Sequence, residues 1–388
     1  MKNFDYLTQT RLIFGKGVVE NKLLDVINNF GKNVLLTYGS GSIKKNGLYD
    51  LVKNILKDFN IYELSDIKPN PKYNPSVLNG VKICKENKID VILSIGGGSV
   101  LDCSKAIAAS SLYDGDPWDI ITRKVETKGA IPIISIITLS ATGSEFNGNA
   151  VISRTETNDK VGYSSRYVYP KVSFLDPTYT FSVSKIQTIA GAIDAMNHTI
   201  EQYFTKETTL LNDGFCEATI KSLMANLKIV LKEPNNYQAR AEIMQAAAYA
   251  CNGILSRGNS SSGWPCHAIE HALSAYYDIT HGVGLAIITP RWMRHILNDE
   301  SVDRFVKYGV NIFGISSNLE KYEIANKAID MTYSFYESTG IPMHLKQLGI
   351  DESRIDEMTK HIVDNEGLDK AFIPLNFDDI KDILIKSL

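Results

Sequence analysis

Cysteine is scarce in this 388-residue chain, and the pattern of its thiols excludes more than their number does. Cys84, Cys103, Cys216, Cys251 and Cys266 are odd in count, scattered and without a CxxC pair, which argues against both a disulfide framework and a thiolate zinc ribbon. They read as reduced, buried thiols, and Cys266, although adjacent to His267, reads as a packing residue. Charge of one sign is also lacking. The 41 Lys and Arg against 44 Asp and Glu leave a formal net charge of -3, so there is no broad basic field to attract nucleic acid or an anionic membrane. No stretch approaches the ~20 apolar residues needed to cross a bilayer, and the opening MKNFDYLTQTRLIFGKG carries no continuous apolar segment of the signal-peptide kind. The expectation is a soluble cytoplasmic protein with a small-molecule ligand and neither nucleic acid nor membrane as partner.

The chain does have a globular composition, with 44% hydrophobic and 22% charged residues, and a length that suits two domains. Short runs rich in β-branched residues occur at 33 to 38 (NVLLTY), 90 to 95 (DVILSI), 132 to 138 (PIISIIT) and 171 to 175 (KVSFL), separated by segments of helical spacing. That alternation predicts βαβ units and a largely parallel sheet. The opening segment reads as an early hairpin or edge strands, with an edge that can pair with a second subunit. After Asp176-Pro177 strand signals fade and helical stretches dominate. The predicted architecture is therefore α/β followed by all-α, with a Rossmann-like dinucleotide-binding domain over 1 to 180 and an all-helical metal-binding domain over 181 to 388. Ligands favour domain interfaces and the carboxyl ends of parallel strands, so a cleft between the two domains is the expected place for chemistry.

Three loops at strand ends look built for one extended anionic ligand. Gly96-Gly97-Gly98-Ser99 lies where a buried strand gives way to a helix, and close backbone approach with free amides at a helix start favours a pyrophosphate. Gly39, Ser40, Gly41 and Ser42, followed by Lys44 and Lys45, come after NVLLTY, with no acid between Leu35 and Lys45. A carboxylate there would select the unphosphorylated ribose of NAD; hydroxyls, amides and two lysines instead suit the 2′-phosphate of NADP. The third loop, Thr138 to Glu145, again offers hydroxyls and amides. Its Glu145 has a bland reading as a helix cap, and Asn147 and Asn149 beyond it as turn formers.

The second half holds metal-capable side chains. Asp194 and His198 are four residues apart within a helical pattern, so they share one face. His267 and His271 are also four apart, and His281 follows just before Gly282. Spacing leaves open which three of the four imidazoles bind beside the carboxylate. One carboxylate with three imidazoles suits Fe(II) or Zn(II) acting as a Lewis acid on an alcohol or carbonyl oxygen.

With these motifs in view, the chain resembles the iron-containing (group III) alcohol dehydrogenases over nearly its whole length, within them the NADPH-using butanol dehydrogenase and broad aldehyde reductase branch. The fold of that family is shared with dehydroquinate synthase. The resemblance implies metal ligands at Asp194, His198, His267 and His281, and leaves His271 near the substrate as a proton relay. It implies cofactor contacts from Gly39, Ser40, Gly41, Ser42, Asn70, Gly97, Gly98, Ser99, Asp102, Thr138, Leu139, Thr142, Asn147, Lys160 and Tyr179. NAD-using relatives carry an aspartate at the position of Gly39, which supports NADP(H) over NAD(H). Trp264 and Phe146 are expected to line an apolar substrate pocket. A homodimer through the amino-terminal strands is the expected assembly. The competing readings are a metal-dependent lyase of the dehydroquinate synthase type and a non-catalytic NADP(H)-binding sensor.

Overall fold

The computed structural model describes residues 1–388. Eight strands form two sheets: β1 (Arg11–Phe14), β2 (Asn33–Tyr38), β3 (Asn60–Leu64), β4 (Val91–Gly96), β5 (Ile133–Ile137), β6 (Asn149–Arg154), β7 (Asp159–Ser164) and β8 (Val172–Leu175). Six of them make one parallel sheet in the order β1-β8-β5-β4-β2-β3. The runs read from sequence as β-branched strands occupy its centre. They are apolar on both faces because both faces are covered. Val34, Leu36, Leu93, Ile95 and Ile136 enter one core, and Leu35, Ile92, Ile133 and Ile137 enter the other. β6 and β7 form a separate antiparallel hairpin.

Strand order reverses around β2, whose chain continues to β3 on one side while β4 pairs on its other side. At such a switch point the loops leaving neighbouring strands diverge and open a crevice beyond the carboxyl ends. The register places Tyr38 beside Ile95 and Gly96 beside Ile137. The loops beginning at Gly39, Gly97 and Thr138 therefore leave the sheet side by side.

The chain divides into two compact units, and neither is continuous in sequence. One comprises Leu7–Ser184 with Glu233–Asn252; the other comprises Met1–Tyr6, Lys185–Lys232 and Gly253–Leu388. A division at residue 180 assigns the helix Tyr237–Ala250 to the helical part, whereas it packs with the sheet. Its Met244 and Ala248 are buried in the core under β4 and β5, and the Ala247 carbonyl lies against Gly143. Of the hairpin or edge strands expected at the amino terminus, only an edge strand forms. β1 pairs in parallel with β8, and the chain then turns through Gly15 and Gly17 into the helix Val18–Ile27.

The helical unit contains no strand. Its central helix, Lys185–Tyr203, is buried continuously from Thr188 to Tyr203, and a helix enclosed on all sides can carry polar groups only where each has a partner. Phe204 beyond its end packs against Trp292, Phe305 and Tyr308. Beside this aromatic cluster the buried Asp213 accepts from both terminal nitrogens of Arg304 at 2.9 and 2.5 Å, from Thr208 Oγ1 at 2.9 Å, and from Lys307. Burial alone would raise the Asp213 pKa, but the bonds from Arg304 and Lys307 outweigh it and hold the carboxyl below its ordinary value.

Removing that charge tests how the helical unit is held. Asp213→Asn leaves Arg304 with a weaker partner and is expected to cost about 3 kcal/mol in thermal or urea unfolding. A carboxyl with a depressed folded-state pKa stabilises above its unfolded value, near pH 4, and the contribution disappears as pH falls through the folded value. The stability of the variant should accordingly decline less steeply than that of the parent in that acid range.

Candidate cofactor and metal sites

In the sheet unit, the helix Gly98–Ser110 begins directly after β4 with Gly97 at its N-cap. Its first-turn amides have no intrahelical acceptor and carry the positive end of the helix dipole. A Cβ on Gly98 would stand 2.4 Å from Thr142 Oγ1, and one on Gly97 would stand 3.0 Å from the Leu139 side chain. These glycines thus permit the loop after β5 to close over the helix start, which brings Gly97, Gly98 and Ser99 together with Thr138, Leu139 and Thr142. Gly39 differs: a Cβ there would make only ordinary contact, 3.5 Å from the Ile67 carbonyl oxygen. Ser40 and Ser42 are exposed, with Gly41 between them in the left-handed region. Asn70 is buried and also left-handed. Lys160 is buried on β7, opposite Ser153, and Tyr179 packs at the edge of the sheet core, where burial, then Asp176 and Glu20, push its pKa up to about 12.

Two expected cofactor residues have their side chains committed to the protein itself. Asp102 accepts from Ser144 Oγ at 2.6 Å and from the Val151 amide at 2.9 Å. The Asn147 amide donates to the Gly143 and Cys251 carbonyls, both at 3.0 Å, and its Oδ1 accepts from the Asn149 amide at 2.8 Å and from Lys105 at 3.1 Å. Sequence reasoning missed Lys105, the hub of this arrangement. Its fully buried ammonium donates to the carbonyls of Ser144, Asn147 and Asn149 as well as to Ser144 Oγ, at 2.7 to 3.0 Å. Burial pulls the Lys105 pKa down to about 8, against the opposing effect of Asp102 and Glu145, while burial raises Glu145 to about 7. Only the position of Lys105, two turns into the helix that opens at Gly98, could have signalled it.

In the helical unit, Asp194 and His198 lie one above the other on the central helix, His267 comes from the helix Pro265–Tyr277, and His281 opens the helix His281–Ile296. One carboxylate oxygen gathers all three rings: Asp194 Oδ1 is 3.5 Å from His198 Nδ1, 3.8 Å from His267 Nε2 and 3.6 Å from His281 Nε2. Asp194 Oδ1, His198 Nδ1 and His267 Nε2 are buried without a hydrogen-bond partner. Nitrogen and oxygen ligands about 2.1 Å from one ion stand about 3.0 to 3.5 Å apart; Asp194, His267 and His281 offer atoms that all lie within 4.8 Å of one another, a set that a divalent metal would draw together, and His198 approaches that set through Asp194 Oδ1. Burial raises the Asp194 pKa, but His198, His267 and His281 outweigh it and bring the carboxyl to about 2.

The outer nitrogens of two rings are held by carboxylates that sequence reasoning did not single out. His267 Nδ1 meets Glu201 Oε2, and His281 Nδ1 meets Glu270 Oε2; both glutamates are fully buried. Burial lowers the His267 pKa, yet Glu201 and Asp194 outweigh it and push the imidazole up to about 10. The site is rich in anionic charge, and a divalent ion would supply the positive charge that a protonated His267 otherwise provides. Glu201 is three residues after His198 and Glu270 three after His267, spacings that were visible but had no stated role. His271, half-buried, has its ring 5.6 Å from that of His281 and 6.3 Å from that of His267. Trp264 stands edge-on to His198 and His267 at 6.0 and 5.3 Å. Trp264 also borders a cavity otherwise walled by serines, Asn259 and Gln202. Phe146, in the sheet unit, packs on Tyr249.

Two family models cover almost the whole chain: "Iron-containing alcohol dehydrogenase" matches residues 9–177, and "Fe-containing alcohol dehydrogenase family, C-terminal" matches 188–388. The chain is 47% identical to NADH-dependent butanol dehydrogenase A of Clostridium acetobutylicum over the full length of both. It is 38% identical to the NADPH-dependent aldehyde reductase YqhD of Escherichia coli, with 93% of each chain covered. Among solved structures, NADH-dependent butanol dehydrogenase A of Thermotoga maritima superposes with a TM-score of 0.95 at 38% identity, covering 100% of this chain and 99% of that one.

Two substitutions test the geometry of these sites. Gly282 follows His281 where its helix meets the central one, and a Cβ would lie 2.0 Å from the Ala190 carbonyl oxygen. Gly282→Ala is expected to part the helices bearing His281 and Asp194 and to lower the metal content of purified protein at least tenfold, measured by elemental analysis, since loss of the supporting geometry costs about 10- to 100-fold in affinity. Lys105→Met leaves five acceptor contacts unmade and should destabilise the sheet unit by about 3 kcal/mol in urea unfolding. It should also weaken nicotinamide nucleotide binding in a fluorescence titration, with metal content unchanged.

Proposed function

The chain belongs to the iron-containing alcohol dehydrogenase family, and from that premise we propose that it is a metal-dependent, NADP(H)-linked alcohol dehydrogenase and aldehyde reductase that moves a hydride between a nicotinamide and a primary alcohol or aldehyde of the butanol and butanal kind. The observation that carries this reading is the convergence of three imidazoles on the buried Asp194 Oδ1. Asp194, His198, His267 and His281 are the ligands of one Fe(II) or Zn(II). Bound there, the ion supplies Lewis acidity toward an alcohol or carbonyl oxygen. Glu201 and Glu270 take the outer N–H of His267 and His281 and so keep the inner nitrogens as lone-pair donors. His271 is the residue that exchanges a proton with the substrate oxygen, in keeping with an imidazole whose ring lies beside that of His281.

The sheet unit binds the nucleotide. Gly97, Gly98, Ser99, Thr138, Leu139 and Thr142 receive the pyrophosphate at the helix start; Asn70, Lys160 and Tyr179 take the remaining polar edges of the cofactor; Asp102 and Asn147 hold the loop. Preference for NADP(H) is supported at Gly39. The fold does not require glycine there, no acid lies between Leu35 and Lys45, and glycine leaves room beside Ser40, Gly41 and Ser42 for a 2′-phosphate. Relatives carry both NADH- and NADPH-dependent in their names, which makes this preference a property to be measured. The open edge of β1 is the surface through which a homodimer would form, and the cytoplasm is the compartment that suits free cysteines and a nicotinamide cofactor.

Protein loaded with iron or zinc should oxidise NADPH on addition of butanal, lose that activity on chelation, and recover it when the metal is returned. His267→Ala should lose both bound metal and more than about 99% of kcat. NADPH should exceed NADH in kcat/KM by about tenfold or more, and Gly39→Asp should reverse the order. A metal-loaded protein that neither oxidised alcohols nor reduced aldehydes would refute the reading, and an NADH preference in the parent would refute the cofactor assignment alone.

A further inference from the structure

The helix Pro265–Tyr277 carries Glu270 and His271 in succession, and the short turn through Asp278, which takes a left-handed φ of 49°, brings His281 back beside both. A ligand atom from each of Glu270, His271 and His281 lies within 4.8 Å of the others. This set shares only His281 with the cluster around Asp194, and the shared ring serves each set with a different nitrogen. Its Nε2 is 3.6 Å from Asp194 Oδ1, whereas its Nδ1 meets Glu270 Oε2. The rings of His271 and His281 have centroids 5.6 Å apart and planes 33° from parallel. Glu270 is fully buried while both histidines are half-buried, which leaves the set accessible on its imidazole side. Gly284 keeps space beside the carboxylate, because a Cβ there would stand 3.1 Å from Glu270 Oε1.

We propose that Glu270, His271 and His281 Nδ1 form a second, weaker divalent-metal site, that zinc is the ion it takes, and that filling it inhibits the protein. One carboxylate and two imidazoles are a zinc donor set, and a water completes the tetrahedral shell. The site is weaker than the Asp194 cluster for two reasons. It has three ligands instead of four, and its atoms are already engaged: Glu270 accepts from Ser274 Oγ and pairs with His281 Nδ1, whereas Asp194 Oδ1, His198 Nδ1 and His267 Nε2 have no hydrogen-bond partner. Binding puts the ion in place of the proton held between Glu270 and His281, and that proton passes to solvent. It also ties down His271, the imidazole that exchanges a proton with the substrate oxygen. The inhibition therefore rests on the dehydrogenase reading; the site itself rests only on the three side chains.

The test counts ions before it measures turnover. In equilibrium dialysis of the metal-loaded protein against rising zinc, bound metal should climb from about one to about two ions per chain, and in His271→Asn it should stop at about one. Cobalt(II) added to the metal-free protein should give two successive saturable sets of visible bands in the parent and only the first in the variant. In the parent, the second zinc ion should lower kcat for butanal about 100-fold, the share expected of a lost proton relay, with NADPH binding unchanged and activity restored by a weak chelator. A parent that stops at one ion overturns the site, and so does a second ion that His271→Asn retains, which would be an adventitious surface ion. If the variant binds no metal at all, the cobalt titration of the parent decides, and a single set of bands overturns the site. Two bound ions with kcat unchanged overturn the inhibition. A protein inactive with one ion counts against the dehydrogenase reading and leaves the ion count to judge the site.

Discussion

Carboxyl groups do not stay buried unless something compensates them, and the helical unit buries three within one cluster: Asp194, Glu201 and Glu270. Most of what is distinctive in this unit follows from that constraint. Three imidazoles surround Asp194, two of them lean on the glutamates, and the atoms left without partners point toward one common place. Replacing the cluster with apolar residues would suit a helical core, so its persistence there is explained by chemistry. The glutamates also do what a bare set of four ligands cannot, because each fixes the tautomer and the orientation of a ring before any ion arrives.

The cluster is assembled from three helices, so its precision is set by helix packing. Gly282 is the point of closest approach. Its hydrogen faces the Ala190 carbonyl, and no side chain could occupy that space. One residue earlier, His281 projects toward Asp194, so the contact that sets the separation of the two helices also sets the separation of two ligands. In the sheet unit Gly98 plays a comparable part, letting the loop with Thr142 close onto the start of its helix. A glycine beside a functional residue is in both cases a statement about distance.

What could be read from sequence follows the range of the interactions involved. The sheet strands and the Asp194 and His198 pair were legible because period-2 and period-3.6 patterns are local. The three loops at strand ends were legible because the sheet order turns consecutive strand ends into neighbours. Lys105, Glu201 and Glu270 were not, since a buried charge is recognisable only by partners that lie far along the chain, such as Ser144 and Asn147 for Lys105. The helix Tyr237–Ala250 reads as helix from its pattern, yet nothing local says that Met244 and Ala248 will be buried with the sheet. The serines beside Trp264 likewise come from a loop whose path is set by contacts far along the chain, with Asn212, Thr205 and Glu207.

Each unit thus has a charged hub and a polar rim, and the two answer to different constraints. The hubs, Lys105 with Asp102 and Glu145 in one unit and Asp194 with Glu201 and Glu270 in the other, are enclosed groups in which any change leaves a buried charge unmatched. Changes there are strongly destabilising and are corrected only by several substitutions at once. The rims, at residues 39 to 42 and 256 to 262, are partly exposed, and a substitution there leaves the core undisturbed. A structure 38% identical to this chain keeps the same fold, and relatives at 38% and 47% identity differ in the nucleotide and substrate that their names carry.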